Sequence, residues 1–257
     1  MCRLLGLIGT PPLPARDFLT AFQPLCKTGK IKCNMEPGHL DGWGVSGFQN
    51  GRAVYFERRP ESAAGDSVLF REVGERAQKS LTPVLIAHLR KASTGMRSVG
   101  NSHPFHYRDW VFAHNGTVHG AMASLPLTDA KPQGETDSEL LMLWILEHIQ
   151  NEPDPTAALV KLLKESRQNL VFTSLTFLLT NGKLLWAYRD YGEKRLEKGE
   201  TLQEREKYYT LYYAKVDRCA VVCSEALTSV PALWEPVAQR QLAVFTPEKL
   251  APDTFRI

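Results

Sequence analysis

No stretch of the 257-residue chain is apolar for the roughly 20 residues that a bilayer crossing requires, so a transmembrane helix is excluded. The opening run from Met1 to Gly9 is apolar but short, and prolines follow it at once. It lacks the basic start and longer apolar stretch of a secretory signal and alternates like a strand instead. A cytoplasmic protein is expected. Net charge is only +3, with lysine and arginine scattered among the acids. That is too weak a bias to point to nucleic acid or an anionic membrane as partner. None of the five cysteines (Cys2, Cys26, Cys33, Cys219, Cys223) belongs to a CxxC pair, which leaves zinc-knuckle and thioredoxin-type readings unsupported. Cys219 and Cys223 share one face of an apolar, strand-like run, where buried reduced thiols are expected rather than a metal site. There is no internal repeat, low-complexity tract or long linker.

What is present is the composition of an ordinary globular protein, 43% hydrophobic and 23% charged, read as one domain over 1–257. Branched and apolar runs predict strands at 2–9, 43–49, 53–59, 84–90, 110–114, 171–180, 183–189, 208–214, 219–224 and 242–246. Helices are predicted at 15–25, 66–79, 137–150 and 155–167. Thr136 followed by Glu139 reads as a capping box for the third helix. Leu140, Leu141, Trp144, Ile145 and Ile149 then form its apolar stripe. Asn181-Gly182 predicts a type I′ hairpin, a turn that needs positive φ at both positions. The charged segment 190–207 reads as an exposed excursion between strands. Many strands with few helices do not give regular βαβ alternation; two antiparallel sheets with helices outside them fit better.

Cys2 is the first residue that suggests chemistry. Methionine aminopeptidases accept a small second side chain, so the mature chain is expected to begin at Cys2 and to carry a thiol and a free α-amine on one residue. An α-amine has a pKa of about 8 and a thiol about 8.5, so nucleophile and base for neutral pH come together. Downstream lie four polar, glycine-containing clusters beside apolar runs. They are His39 to Gly44 (HLDGWG), His88 to Ser93 (HLRKAS), Asn101 to Phe105 with His114-Asn115-Gly116, and Gly134 to Glu139 (GETDSE). Singly, each has an ordinary explanation: Arg90 a surface arginine, Asn115-Gly116 a turn, Asp137 an acid favoured in a first helical turn. No spacing among His88, His103 and His114 matches a helical or finger metal motif, and they read as structural histidines around a site.

Taken in order from Cys2 to Glu139, and again at Cys223 to Thr228 (CSEALT) and Trp234 to Val237 (WEPV), these elements resemble the class II glutamine amidotransferases, most closely their small stand-alone branch. The resemblance implies an α+β fold, the four-layer αββα sandwich of two antiparallel sheets seen in N-terminal-nucleophile (Ntn) hydrolases. It implies Cys2 as nucleophile with its own α-amine as base, and Arg90 and Asp137 as holders of the substrate α-carboxylate and α-ammonium. The Asn115 amide and the Gly116 N–H become the oxyanion hole. No metal and no cofactor is implied. One departure stands out. Lys91 follows Arg90 where synthase-fused members carry a tryptophan in the loop that closes over glutamine.

The reaction implied is thiolate attack on a γ-glutamyl amide, loss of ammonia or an amine, and hydrolysis of the thioester to glutamate. The substrate is then glutamine or a γ-glutamyl metabolite of the glutathione or ergothioneine type. One reading is a freestanding amidase, which Lys91, a poor hydrophobic lid, favours. A second is a glutaminase subunit feeding ammonia to a separate, ammonia-accepting enzyme. A third, non-enzymatic reading is a γ-glutamyl-binding regulatory or scaffold protein.

Overall fold

Alternation along the strands sorts side chains between two faces, and the computed structural model shows what each face meets. It describes residues 2–32, 35–93, 95–196 and 199–257. Met1, whose removal is expected, and Cys33 lie outside the described residues.

A seven-stranded sheet is built from β1 (Arg3–Gly9), β2 (Trp43–Gln49), β3 (Arg52–Arg59), β4 (Val84–Leu89), and three later strands. These are β9 (Tyr212–Val216), β10 (Cys219–Cys223) and the short β11 (Glu235–Pro236). Its order is β11-β9-β10-β1-β4-β2-β3, with each registered pair antiparallel. The six-stranded sheet contains β5 (Phe105–Tyr107), β6 (Trp110–Asn115), β7 (Thr176–Thr180), β8 (Leu185–Arg189), β12 (Gln241–Phe245) and β13 (Asp253–Arg256). Its order is β13-β12-β8-β7-β6-β5, again antiparallel.

Leu4, Ile8, Val84, Ile86, Val111, Ala113, Leu178 and Val222 form the apolar layer between the sheets. Gly6 sits where a Cβ would lie 3.1 Å from Leu178 and Leu185 side chains, so a larger residue in β1 would push the sheets apart. The opposite face of β1, through Leu5 and Leu7, packs with α1 (Ala15–Phe22) and α3 (Ser67–Lys79). On the far side α5 (Asp137–Ile149) and α6 (Pro155–Ser166) cover Phe112, Phe177, Trp186 and Leu242 of the second sheet. The result is the expected αββα arrangement. Short helices α2 (Leu25–Thr28), α4 (Ala121–Ser124) and α7 (Leu202–Tyr208) fill the connections. No helix among the described residues is long and apolar enough to cross a membrane.

Several local expectations are corrected. The helix read over 15–25 breaks at Pro24 into α1 and α2, because proline lacks the donor a helix interior needs. The strand read over 171–180 begins only at Thr176; residues before it make isolated bridges, Val118 to Phe172 and Ser174 to Tyr191. The strand read from 208 begins at Tyr212, since Tyr208 closes α7. Asn181-Gly182 does join two paired strands, but through the loop 181–184, with Thr180 opposite Leu185. Only Gly182 takes a positive φ there, 84°. The Asn181 carboxamide oxygen instead accepts from the N–H groups of Lys183 and Leu184, at 3.1 and 3.0 Å. Half of the capping box also fails. Thr136 Oγ1 accepts from Glu139 N–H at 3.2 Å, yet the Glu139 carboxylate turns to the N–H groups of Gln133 and Gly134.

The charged segment 190–207 is an excursion between β8 and β9 and largely exposed, as expected, but three of its charges are buried. Arg205 is wholly buried in α7 and pairs with Glu200 at 2.7 Å, while Glu200 also meets Lys32 at 2.8 Å. Asp190, buried too, pairs with Arg167 at 2.7 Å. A balance of charges that looks like solubility in one dimension is here an internal ion network.

Candidate active site

Cys2 lies at the start of β1, the middle strand of its sheet, so its position is set from both sides. The adjacent Leu4 N–H donates to Ser224 Oγ at 2.9 Å, and Ser224 N–H returns a bond to the Leu4 carbonyl. Cys2 N–H donates to Asn115 Oδ1 at 2.9 Å across 113 residues of chain. The Cys2 side chain is almost fully buried, with Sγ 3.7 Å from the Lys91 carbonyl oxygen.

Asn115 ends β6 and is wholly buried. Its Oδ1 is taken by Cys2, while its Nδ2 is buried and makes no hydrogen bond to a described residue. An unsatisfied amide donor beside a buried thiol is costly unless something accepts from it. Gly116 follows. A Cβ there would stand 2.0 Å from the Ser174 carbonyl oxygen and 2.7 Å from His114 Nε2, so no side chain fits. Gly116→Ala is therefore expected to destabilise the fold by 1–3 kcal/mol or more, the usual range for overpacking. Chemical denaturation of the two proteins measures this, and an unchanged midpoint contradicts it.

His114 buttresses this corner. Nε2 lies 2.9 Å from the Ser174 carbonyl and Nδ1 2.9 Å from Ser138 Oγ. A carbonyl only accepts, so Nε2 carries the proton and Nδ1 accepts from the serine hydroxyl. Burial lowers the His114 pKa, opposed by the Asp137 carboxylate. His88 and His103 stack with ring centroids 4.2 Å apart, and burial drives both pKa values well below the ordinary range. Burial thus favours the neutral form of all three, and the ring nitrogens of His88 and His103 make no hydrogen bond to a described residue.

Arg90 emerges from β4 into the site with only 2% of its surface exposed. Its guanidinium donates to the carbonyls of Asp41, Met96 and Gly95 at 3.3–3.4 Å. Burial lowers its pKa while Cys2 and Asp41 raise it. Asp41 ties down the loop beyond Arg90. Oδ2 accepts from Ala92 N–H at 2.9 Å, and Oδ1 pairs with Arg97. Asn101 ties the same loop to the start of α5. Its amide donates to the Met96 carbonyl at 3.1 Å, and its oxygen accepts from Glu135 N–H at 2.9 Å. Asp137 is the first residue of α5, and its Oδ2 accepts from Val118 N–H at 2.7 Å. The loop 116–118 thus links Asp137 to Asn115.

Cys2, Arg90, Asn115 and Gly116 therefore gather in one place, and Asp137 is tied to the loop that follows Asn115. The remaining described cysteines do not join them. Cys26, Cys219 and Cys223 are buried free thiols, and burial pushes Cys219 and Cys223 up to about 12.

Comparisons to known proteins give the family. The family model described as class-II glutamine amidotransferases matches residues 1–253. The chain belongs to the class II glutamine amidotransferases. YafJ of Escherichia coli (strain K12) is 32% identical over 201 residues, 73% of this chain and 72% of that protein. A Haemophilus influenzae protein named as a glutamine amidotransferase is 32% identical over 202 residues, spanning 63% of its own length. Among solved structures, a class-II domain protein from Silicibacter pomeroyi aligns over 99% of both chains, at 20% identity and a TM-score of 0.63. The glutamine phosphoribosylpyrophosphate amidotransferase from B. subtilis aligns over 99% of this chain but 49% of its own, with a TM-score of 0.65. At 18–20% identity these structures establish the shared Ntn-type fold.

Sequence reasoning had Asp41 and Asn101 inside the right clusters but gave them no role. It likewise gave no role to Ser138 and Glu225, which stand in named runs, nor to Arg3 and Ser174. Their partners lie far away in the chain, so no local spacing reveals them.

Proposed function

We propose that this glutamine amidotransferase cleaves a γ-glutamyl amide through a thioester on Cys2, once Met1 is removed, and releases glutamate with ammonia or an amine. The observation that carries the reading is the two-ended use of Asn115. One end holds the Cys2 nitrogen, and the other offers a buried donor with no acceptor of its own. Such a donor suits the oxyanion of a tetrahedral intermediate, which needs preorganised N–H groups more than the ground state does. Gly116 N–H is the second donor. The free Cys2 amine takes the thiol proton and returns it to the leaving nitrogen. Arg90 receives the substrate α-carboxylate, for which a planar fork is suited, and Asp137 receives the α-ammonium.

Of the two enzymatic readings, the freestanding amidase is the better supported. The loop after Arg90 is held by contacts from within the chain: Asp41 to Ala92 and Arg97, Asn101 to Met96, and the Lys91 ammonium to the Glu36 carbonyl. Lys91 serves there as a polar latch.

The test is kcat/KM of purified protein, with Cys2 verified as its terminus, on glutamine and on larger γ-glutamyl amides. A freestanding amidase is expected to prefer a larger amide by about tenfold or more, a difference of about 1.4 kcal/mol in transition-state binding. Strong preference for glutamine, or inertness relieved only by cell extract, points to the ammonia-donating subunit. Tight binding of γ-glutamyl amides without any turnover points to the regulatory reading.

A further inference from the structure

Directly behind the nucleophile lies a buried cation that the reaction above does not use. Arg3 is wholly buried beneath Cys2. Its Nη1 donates to the Cys2 carbonyl at 2.9 Å, and its Nη2 donates to the Lys30 carbonyl. Nε pairs with Glu225 at 2.7 Å, and the guanidinium sits 4.5 Å over the Tyr208 ring. Glu225 also accepts from Lys30 N–H at 2.7 Å. Four segments of the chain thus converge on one side chain: β1, the stretch after α2, the stretch after β10, and α7.

We propose that Arg3 and Glu225 form a positioning pair that orients Cys2 and sets the basicity of its α-amine. The proposal rests on the Cys2-amine reading of the reaction. A carbonyl hydrogen-bonded to a buried guanidinium has little freedom to rotate, so the direction of both the amine and the thiol of Cys2 is held. The amine also lies one residue's span from that carbonyl, within ~6 Å of the guanidinium. At that range a fixed cation disfavours the ammonium form and leaves more of the amine as free base at neutral pH. Glu225, paired with Nε of the guanidinium, offsets part of that field.

The other groups facing Cys2 stay constant when this pair is altered. Arg90 on the loop after β4 is the second cation, while Asp137 on α5 accepts from the Val118 N–H. Lys91 turns away to Glu36. His88 is held neutral and the Tyr208 phenol is pushed upward, both chiefly by burial. His39 and Lys30 lie behind Arg3, with His39 Nε2 3.2 Å from the Lys30 carbonyl.

The sign of the effect distinguishes this role from simple structural support. Removing the cation in Arg3→Met raises the amine pKa, so the acidic limb of kcat/KM against pH moves up, by about one pH unit. Removing the anion in Glu225→Gln, which keeps an acceptor for Lys30 N–H, lowers the amine pKa and moves the limb down by roughly half a unit. Arg3→Lys keeps the charge but loses the fork, so the limb stays near its original place while kcat falls. A second readout does not need turnover: the pH midpoint for trace acetylation of the Cys2 amine by acetic anhydride, read by mass spectrometry. It should shift in the same opposite directions, and it decides the matter even if no substrate is cleaved. Limbs or midpoints that move the same way in Arg3→Met and Glu225→Gln, or that do not move, overturn the proposal. If Arg3→Met does not fold, Glu225→Gln alone decides: a downward midpoint supports the pair, and an unchanged or upward one overturns it.

Discussion

Replacing Cys2 by serine should abolish γ-glutamyl amide cleavage, lowering kcat by about 10³-fold or more, as loss of a covalent nucleophile does. Stability should hardly change. Among the described residues the Cys2 thiol makes one hydrogen bond, to the Lys91 carbonyl at 3.7 Å, and serine is close to it in volume. A glutamine-mimicking diazoketone gives the complementary result: one adduct, on Cys2, in protein lacking Met1. The other described thiols are poor competitors, because burial raises the pKa of Cys26, Cys219 and Cys223 and keeps them as thiols. Mass spectrometry of the labelled peptides reads this directly. An adduct on any of those three, or a serine variant with near-normal turnover, would show that the nucleophile lies elsewhere.

Asn115 carries the second large effect. Asn115→Ala removes a buried donor from the oxyanion site and the acceptor that holds the Cys2 nitrogen. Loss of one oxyanion donor alone costs on the order of 10²–10³ in kcat. Asn115→Asp separates the two duties. It still accepts from the Cys2 amine, but it offers no donor and sets a negative charge where O⁻ develops. Its kcat is expected to fall at least as far as that of the alanine variant, with KM less affected. Steady-state kinetics of both variants provide the check. Retention of kcat in Asn115→Asp would remove the side-chain amide from the oxyanion hole.

The family was legible from an ordered set of elements along the chain, and the helix start at Asp137 and the strand end at Asn115-Gly116 because such features are local. Thr136 followed by Asp137 marks a helix start, since a hydroxyl accepts from the orphan N–H two or three residues on. That start does place Asp137 in the first turn of α5. Asn115-Gly116 marks the end of a strand, where a small residue is needed, and the 2.0 Å gap to Ser174 shows why. Where the local rule had a competitor, it failed. Glu139 forgoes the capping box because two backbone N–H groups, of Gln133 and Gly134, bind it instead. Asn181 satisfies two N–H groups with its side chain, so the hairpin needs positive φ only at Gly182.

Periodicity and capping report what a segment does with its own backbone and which of its faces leaves water. They were enough to point to two antiparallel sheets with helices outside them, while the choice of Cys2, Arg90, Asn115, Gly116 and Asp137 came from the family resemblance. They say nothing of which distant group meets a side chain. Only tertiary packing set the Cys2 nitrogen on Asn115 and buried Arg205 and Glu200 within the largely exposed segment 190–207. It also slid Arg3 beneath the nucleophile against Glu225, 222 residues away along the chain. A charge in a sequence reads as solvated because water is the cheapest partner for an isolated ion. Burial becomes tolerable only when a second charge and several carbonyls converge on it, and that convergence is a property of the folded chain.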